Sequence, residues 1–340
     1  MNIAYIGNGK STNRYHLPFV LQRKDRITVK KIYARNLAKR EWDRVAGVEY
    51  TDNIDDLLLD DDIDLIVVCT RHDQNLHYDY AKLVLNHDKH CLVEKPFMET
   101  SAQAKEIFDL ANQKGKIVQA YQNRRFDSDF LTVIDVIESK KLGEVLEMEM
   151  HFDYYRPEVP QSVDSFDPAL SYLYGHGCHT IDQVISYFGA PDKIHYDVRQ
   201  LLGEGRMNDY FDLDLYYGVL KISVKSSYFR VKERPSFIVY GKKGCFVKEK
   251  KDRQEEHLKL FHMPDNPDFG LDLPEHYGTL TYYDDQGVYH EEKVVSRKGD
   301  YGRVYDDLYE AIVNNLPVTI TPKQTMLQME ILETGVKNLK

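Results

Sequence analysis

The sequence predicts an α/β protein of two domains, in which a doubly wound parallel sheet comes first and an α/β domain with a large, open, mostly antiparallel sheet follows. Short apolar runs alternate with helical stretches through the first third of the 340 residues, which is typical of a parallel sheet buried on both faces. After about residue 122 the strand-like runs lengthen and alternate polar with apolar residues, which indicates a sheet with one wet face. We therefore predict domains at residues 1–121 and 122–340.

Each element follows from its local pattern. In the first domain we predict strands at residues 2–6, 27–34, 63–70, 91–93 and 116–120, and helices from the glycine turn to residue 23 and at 54–60, 75–86 and 101–114. In the second domain we predict helices at 128–140 and 177–188 and strands at 145–155, 193–201, 212–229 and 237–241. Two closing helices, near 304–314 and 323–338, are placed to pack back on the first domain.

Composition excludes several classes of protein. The formal net charge is −10, so the chain lacks the basic excess that a nucleic-acid surface needs. No apolar run approaches the length of a membrane-spanning helix. The chain enters its first strand with no signal-like segment, and no CxxC pair appears, which favours a reducing cytoplasm over a disulfide scaffold. The four scattered cysteines are Cys69, Cys91, Cys178 and Cys245.

A glycine turn joins the first strand to the first helix, which is the layout of a dinucleotide-binding site. Gly7 permits the tight turn, and Gly9 lets the backbone approach a pyrophosphate at the helix N-terminus, beside Lys10 and Ser11. The third fingerprint position is Thr12 rather than Gly or Ala, so we expect looser packing of helix on strand there. A P-loop is excluded because its first glycine would fall inside the strand.

The end of the second strand bears on the choice of coenzyme. An NAD site usually places Asp or Glu there to hold the ribose hydroxyls, but this sequence has Arg35. A guanidinium grips a 2′-phosphate, whereas a carboxylate repels it. The sequence therefore favours NADP over NAD, with a solvated surface arginine as the alternative.

The segment HCLVEKPFMET places two charged side chains, Glu94 and Lys95, at the end of a buried strand. Ligands of doubly wound sheets bind beyond the carboxyl ends of the strands, and Pro96 favours an extended backbone that directs Lys95 out of the sheet. An ammonium group there could polarise a carbonyl or alkoxide during hydride transfer. The alternative is an ordinary Glu–Lys surface pair.

A second set of polar residues opens a predicted helix of the second domain. His179 and Asp182 are three residues apart and share a helix face. We expect the helix dipole to lower the pKa of His179, which suits a general base. His176 and Cys178 also suggest zinc, but they lie on other faces and no further cluster completes a tetrahedral set, so we expect no metal site.

Taken together, these segments resemble the Gfo/Idh/MocA oxidoreductase family, the relatives of glucose–fructose oxidoreductase and inositol dehydrogenase. The likeness lies in the glycine turn, the run at residues 89–96, the segment QNRRF at 122–126 and the segment GCHTID at 177–182. It spans essentially the whole chain. It implies a Rossmann domain, an NAD(P)-dependent dehydrogenase or reductase acting on a sugar, cyclitol or polyol, and a homodimer or homotetramer built on the open sheet.

The resemblance also implies roles for residues. Lys95 and His179 become the catalytic pair, in which His179 takes the hydroxyl proton. Substrate contacts fall to Asn123, Arg124 and Asp182. Tyr155 follows a strand of the second domain and is expected to line the pocket or an interface. The coenzyme contacts become Gly7, Gly9, Lys10, Ser11, Thr12, Arg35, Thr70, His77, Glu94 and Lys95.

Two departures from the family pattern qualify these roles. Many catalytic members carry Asp four residues before the histidine, where this chain has Gly175. The Thr-Pro-Asn turn is replaced by Thr70-Arg71-His72-Asp73. A non-enzymatic NADP(H)-binding sensor is therefore the alternative function.

Overall fold

The structure is a computed structural model that describes residues 1–38, 41–71 and 74–340. It divides the chain into two compact units. The first contains Met1–Asn123 together with two later segments, Leu258–Pro267 and Tyr301–Glu330. The second contains Arg124–His257, Asp268–Asp300 and Ile331–Lys340. Each unit is therefore assembled from three separate stretches of the chain.

A six-stranded parallel sheet forms the centre of the first unit. Its strands lie in the order β3-β2-β1-β4-β5-β6, so that the direction in which successive strands are added to the sheet reverses between β1 and β4. Strands β4 and β5 are buried on both faces, which agrees with their unbroken apolar sequences. The strands are β1 (Asn2–Ile6), β2 (Thr28–Tyr33), β3 (Glu49–Thr51), β4 (Leu65–Val68), β5 (His90–Val93) and β6 (Val118–Ala120).

An eight-stranded sheet forms the centre of the second unit, in the order β14-β13-β12-β11-β7-β10-β9-β8. Only the β7–β10 pairing is parallel among those described. The mostly antiparallel arrangement agrees with the alternating sequences. The strands are β7 (Val145–His151), β8 (Lys193–Arg199), β9 (Tyr210–Tyr217), β10 (Leu220–Ser227), β11 (Phe237–Gly241), β12 (Gly244–Lys248), β13 (Gly278–Tyr283) and β14 (Tyr289–Val294).

The α-helices are α1 (Leu17–Val20), α2 (Asp55–Leu58), α3 (Leu76–Asn86), α4 (Ser101–Lys114), α5 (Ser128–Glu138), α6 (Glu158–Gln161), α7 (Cys178–Phe188), α8 (Gln254–Lys259), α9 (Arg303–Val313) and α10 (Pro322–Val336). Helix α4 begins with a capping box between Thr100 and Gln103 and ends at Gly115 in the left-handed conformation. Helices α5 and α7 pack on the sheet of the second unit. Helix α9 belongs to the first unit although it follows the whole second sheet in sequence.

The predicted fold class is confirmed, but the strand predictions were wrong in two respects. The single strand at 212–229 is two strands, β9 and β10, joined by a two-residue turn at Gly218. Glycine is favoured at that position of such turns because φ is positive. Strands β3, β12, β13 and β14 were not predicted at all. The helix predicted at 177–188 is found as α7, and a π-helical segment, Leu173–Gly177, precedes it. Within the described residues, no helix has the length and apolar character to cross a membrane.

Candidate functional site

The glycine turn follows β1 and is shaped by the absence of side chains. Gly7 has φ of +115°, and a Cβ atom there would lie 2.4 Å from the carbonyl oxygen of Cys69. Only glycine fits such a position. At Gly9, by contrast, a Cβ atom would meet no described atom within 4 Å. The turn therefore packs tightly against β4 at its start and faces open space two residues later.

The helix after the turn begins with the π-helical segment Ser11–His16, which is wider than an α-helix. Thr12 is fully buried there, and its hydroxyl donates to the carbonyl of Gly7 at 2.7 Å. The third fingerprint position therefore carries a larger residue whose polar group is satisfied by the turn itself. Lys10 precedes the segment and is exposed.

A cleft of about 260 Å³ opens beside the turn. Arg35 and Asn36 follow β2 on one side of it, and Thr70 and Arg71 follow β4 on the other. The buried hydroxyl oxygen of Thr70 has no hydrogen-bond partner among the described residues. Glu41 also lines the cleft. His72 and Asp73, which replace part of the family's turn, lie outside the described residues.

These features fit a dinucleotide. The turn leaves room at Gly9, where a pyrophosphate would approach, and Thr70 offers a buried hydroxyl. The cleft lies beyond the carboxyl ends of β1, β2 and β4, at the point where the strand order reverses. That is where ligands bind in doubly wound sheets. The predicted coenzyme residues Gly7, Gly9, Arg35 and Thr70 are therefore brought together at one cleft.

Glu94 follows β5 and lies in a buried cluster of hydrogen-bonded side chains. Its Oε1 atom accepts from the hydroxyl of Ser11 and lies 2.9 Å from Nε2 of His16. Its Oε2 atom accepts the backbone N–H of Lys95 at 2.8 Å. Burial alone would raise the pKa of Glu94, but the hydrogen bond and charge of His16, the charge of Lys95 and the hydrogen bond from Ser11 lower it to about 2. Glu94 is thus a buried carboxylate.

His77 joins the carboxyl ends of two neighbouring strands. Its Nδ1 donates to the carbonyl of Pro96 at 2.8 Å, and Nε2 lies 3.3 Å from the carbonyl oxygen of Thr70. Burial lowers the pKa of His77, and these carbonyls oppose that change only in part. The ring therefore braces the turn after Lys95 against the end of β4.

In the second unit, His179 lies in α7 and is 5 % exposed. Because the π-helical segment Leu173–Gly177 runs directly into α7, His179 stands more than one turn inside a continuous helical stretch. His179 therefore does not lie in the first turn of a helix, to which the dipole effect is confined.

Asp182 is engaged by an arginine that the sequence did not assign to it. Arg125 donates from Nε and Nη2 to the two carboxylate oxygens, each at 2.7 Å. Burial raises the pKa of Asp182, and the charge of Arg125 opposes the rise. Both oxygens are thus held by one guanidinium, so Asp182 is paired with Arg125 inside the second unit.

Arg124 is also buried and neutralised. It donates to Asp127 at 3.2 Å and to Glu255, and its guanidinium lies 4.7 Å from the ring centre of Phe152. Gln183 of α7 donates to its backbone carbonyl at 2.7 Å. The N-terminal end of α5 and the face of α7 that carries His179 are therefore tied together through this residue.

The remaining predicted residues differ in exposure. Asn123 is 7 % exposed at the start of a short 3₁₀ segment, Asn123–Phe126. Tyr155 is 58 % exposed. At Gly175 a Cβ atom would meet nothing within 4 Å, so the backbone there has room for the family's carboxylate. The ring centre of His176 is 4.7 Å from that of Tyr172.

Sequence reasoning missed His16, Tyr305 and Glu255. His16 carried a weak signal, because a polar residue on the buried side of a helix needs a partner. The other two gave none, since Tyr305 is 289 residues from His16 and Glu255 is 131 residues from Arg124. In the part of the chain that the structure describes, no group of three His, Cys, Asp or Glu side chains is arranged to hold a metal.

Comparison with known proteins agrees with this geometry. Residues 1–122 match the Gfo/Idh/MocA family described as an oxidoreductase family with an NAD-binding Rossmann fold. Residues 134–339 match the C-terminal alpha/beta domain of the same family. Together the two matches cover nearly the whole chain.

Individual relatives extend over the full length. The oxidoreductase YhhX of Escherichia coli is 47 % identical over 336 residues, which are 98 % of this chain and 96 % of that protein. The scyllo-inositol 2-dehydrogenase (NADP(+)) IolW of Bacillus subtilis is 27 % identical over 341 residues, 100 % of this chain and 94 % of that protein.

Solved structures are similar over the same extent. The crystal structure of the probable oxidoreductase yhhX has a TM-score of 0.94 at 46 % identity and covers 100 % of this chain and 97 % of that one. An oxidoreductase from Bacillus cereus has a TM-score of 0.92 at 40 % identity, with 99 % and 96 % covered. With both domains matched and the coenzyme cleft formed, this chain belongs to the Gfo/Idh/MocA family of NAD(P)-binding oxidoreductases.

Proposed function

We propose that the enzyme transfers hydride between NADP(H) and a hydroxyl or carbonyl group of a sugar, cyclitol or related small polyol. The observation that carries the proposal is the cleft beside the glycine turn, with Arg35 on its wall. A guanidinium beyond β2 suits the 2′-phosphate that distinguishes NADP from NAD. The relative IolW, whose name specifies scyllo-inositol and NADP(+), supports both the coenzyme and the class of substrate.

The protein's own residues have separate tasks in this proposal. Bound coenzyme supplies or accepts the hydride. Lys95 holds its ammonium group on the reacting oxygen and stabilises negative charge there. His179 takes the hydroxyl proton during oxidation and returns it during reduction. The remaining proposed contacts are Asn123, Arg124 and Tyr155 for the substrate, and Lys10, Ser11, Thr12, Thr70, His77 and Glu94 around the coenzyme.

Coenzyme choice is tested by two variants of the cleft. Glu41 shares the cleft with Arg35 and is the carboxylate that would serve an NAD ribose. We expect Arg35→Ala to weaken NADPH binding by one to two orders of magnitude and to leave NADH binding within threefold, whereas Glu41→Ala spares NADPH. Nicotinamide fluorescence titration measures all four affinities. Tighter binding of NADH than of NADPH by the wild type would reject the NADP assignment.

Turnover is tested with a panel of sugars, cyclitols and their oxidised forms. Lys95→Ala and His179→Ala should each lower kcat by about two orders of magnitude or more, the scale of a lost acid–base or oxyanion partner. Matched controls are Lys105→Ala and His195→Ala, which alter exposed residues on α4 and β8 and should leave kcat unchanged. Near-normal rates in both site variants would reject their assignment.

We also propose that the chain forms a homodimer or homotetramer through its open sheet and works in a reducing cytoplasm. The support for the location is that no disulfide joins any two of the four cysteines. Light scattering on the purified protein measures the assembly, and a monomeric mass at micromolar concentration would contradict it.

A further inference from the structure

A chain of four side chains lies behind Lys95 in the first unit. His16 joins Glu94 to Tyr305: its Nε2 atom is 2.9 Å from Glu94, and its Nδ1 atom is 2.6 Å from the hydroxyl of Tyr305. The hydroxyl of Tyr305 is in turn 3.1 Å from that of Tyr5 on β1. The exposed fraction is 0 % for Tyr5, His16 and Tyr305 and 7 % for Glu94. The chain thus runs inside the unit from β1, through Tyr305 of helix α9, to the end of β5.

The last link of this chain is the backbone of Lys95. Glu94 accepts the Lys95 N–H with one oxygen and uses the other for Ser11 and His16. Its carboxylate is therefore held from both sides and holds the peptide from which the Lys95 side chain departs. Because Ser11 begins the helix that follows the glycine turn, the same carboxylate connects the pyrophosphate end of the proposed coenzyme site to the lysine.

The geometry points to His16 and Tyr305 as positioning residues that act on Lys95 through Glu94. This inference rests on the catalytic role proposed for Lys95. His16 and Tyr305 are not among the residues that line the coenzyme cleft. Their effect is to fix the direction of the Glu94 carboxylate, and with it the starting point of the ammonium-bearing side chain.

A role in stability alone does not explain why a charged residue, Glu94, is buried at this place. Burying a carboxylate is costly, and apolar residues of similar volume would stabilise the same space at least as well. A buried carboxylate at this place has two further effects: it orients the backbone N–H of Lys95, and its charge acts on the Lys95 ammonium group. Displacements of about 1 Å in a catalytic group lower rates by up to about 100-fold, so a fixed anchor has a clear catalytic benefit.

The test uses variants that remove single links. Tyr305→Phe deletes only the hydroxyl that meets His16, and His16→Gln shortens the bridge to Glu94. The matched control is Tyr121→Phe. Tyr121 is equally buried in the same unit and stacks on His16 at 3.9 Å, but its hydroxyl donates to the backbone carbonyl of Tyr15. Circular dichroism first establishes that each variant is folded at the assay temperature.

The first readout needs no substrate. Acetylation of Lys95 by acetic anhydride, followed by mass spectrometry on the full-length protein, reports how freely the lysine moves. We expect its rate to rise at least threefold in Tyr305→Phe and His16→Gln and to stay within 1.5-fold of wild type in Tyr121→Phe. Unchanged rates in the two link variants, or an equal rise in the control, would overturn the inference even if no polyol is turned over.

The second readout applies to whichever polyol the panel identifies. The link variants should lower kcat roughly tenfold, while NADPH affinity and the KM for the polyol stay within about twofold. A loss confined to NADPH affinity would overturn the positioning role and assign the chain to coenzyme binding instead. Failure of all polyols would reject the proposed function alone, because the acetylation result stands independently of it.

Discussion

His16 and Glu94 meet inside the first unit, with the imidazole Nε2 2.9 Å from the carboxylate Oε1 and side-chain exposures of 0 % and 9 %. The contact joins the helix after the glycine turn to the strand end that carries Lys95. It makes the position of the proposed catalytic lysine depend on a residue nearly eighty positions earlier in the chain.

The ionisation of Glu94 should be visible in acid stability. Its pKa is lowered to about 2 in the folded protein from 4.5. A carboxyl group with a depressed folded pKa stabilises the fold fully above its unfolded pKa and loses that contribution as pH falls. We therefore expect the free energy of unfolding of wild type to fall more steeply than that of Glu94→Gln below about pH 4.5. Urea unfolding from pH 6 to pH 3.5 measures both slopes, and parallel slopes would contradict the pairing.

Substitution of Gly7 should lower stability, whereas substitution of Gly9 should lower coenzyme affinity. Gly7→Ala forces a Cβ atom against the Cys69 carbonyl at positive φ, so we expect a loss of several kcal/mol of stability or no folded protein. Gly9→Ala meets open space and should keep the wild-type melting temperature within 2 °C while weakening NADPH at least tenfold. Thermal melts and fluorescence titration distinguish the two. Wild-type coenzyme affinity in Gly9→Ala would show that no phosphate approaches that residue.

Asp182 should prove to be a structural residue. Breaking its buried pair with Arg125 by Asp182→Asn should cost about 3–5 kcal/mol, because the guanidinium is left uncompensated. The double variant Arg125→Met/Asp182→Met removes both charges and should recover most of that loss. We expect the double variant to keep the KM for substrate within threefold. A large rise in KM in a stable double variant would instead make Asp182 a substrate ligand.

Asp252 in the second unit should show the opposite pH dependence to Glu94. Burial and then the charge of Asp129 raise its pKa to about 6, against hydrogen bonds from Ser128 and Gln254. A carboxyl group whose pKa is higher in the folded than in the unfolded protein stabilises the fold fully below its unfolded pKa. That stabilisation is lost as the pH rises through its folded pKa. The stability advantage of wild type over Asp252→Asn should therefore shrink between pH 4 and pH 7. Melting temperatures across that range check it, and a constant difference would reject the shift.

Local sequence determined much of the first unit. Strand β1 and helix α4 begin and end where their patterns predict, because one is a short apolar run and the other has a capping box and a terminal glycine. Strands β12, β13 and β14, at one end of the sheet, were missed because strand formation depends on pairing with neighbours as well as on the local pattern. Gly218 was a readable turn inside a run that otherwise alternates like one strand.

The candidate site was predictable where it depends on short motifs and unpredictable where it depends on distant partners. The glycine turn and Arg35, which line one cleft, could be read from the sequence because fingerprint spacing and strand ends are local features. Asp182 was predicted to share a helix face with His179, but its partner Arg125 lies 57 residues earlier. A sequence cannot choose among many arginines for such a pair, since only the folded sheet brings the two together.

The position of Tyr305 has a consequence for biosynthesis. The first unit includes Tyr301–Glu330, which follows the whole second sheet in the chain. The partner of His16, Tyr305, is therefore synthesised 289 residues later. Domains usually fold in the order in which they leave the ribosome. Here the earliest part of the nascent chain receives its last buried partner only when translation is almost finished, so a nascent chain that ends before residue 301 should carry an unfinished coenzyme domain.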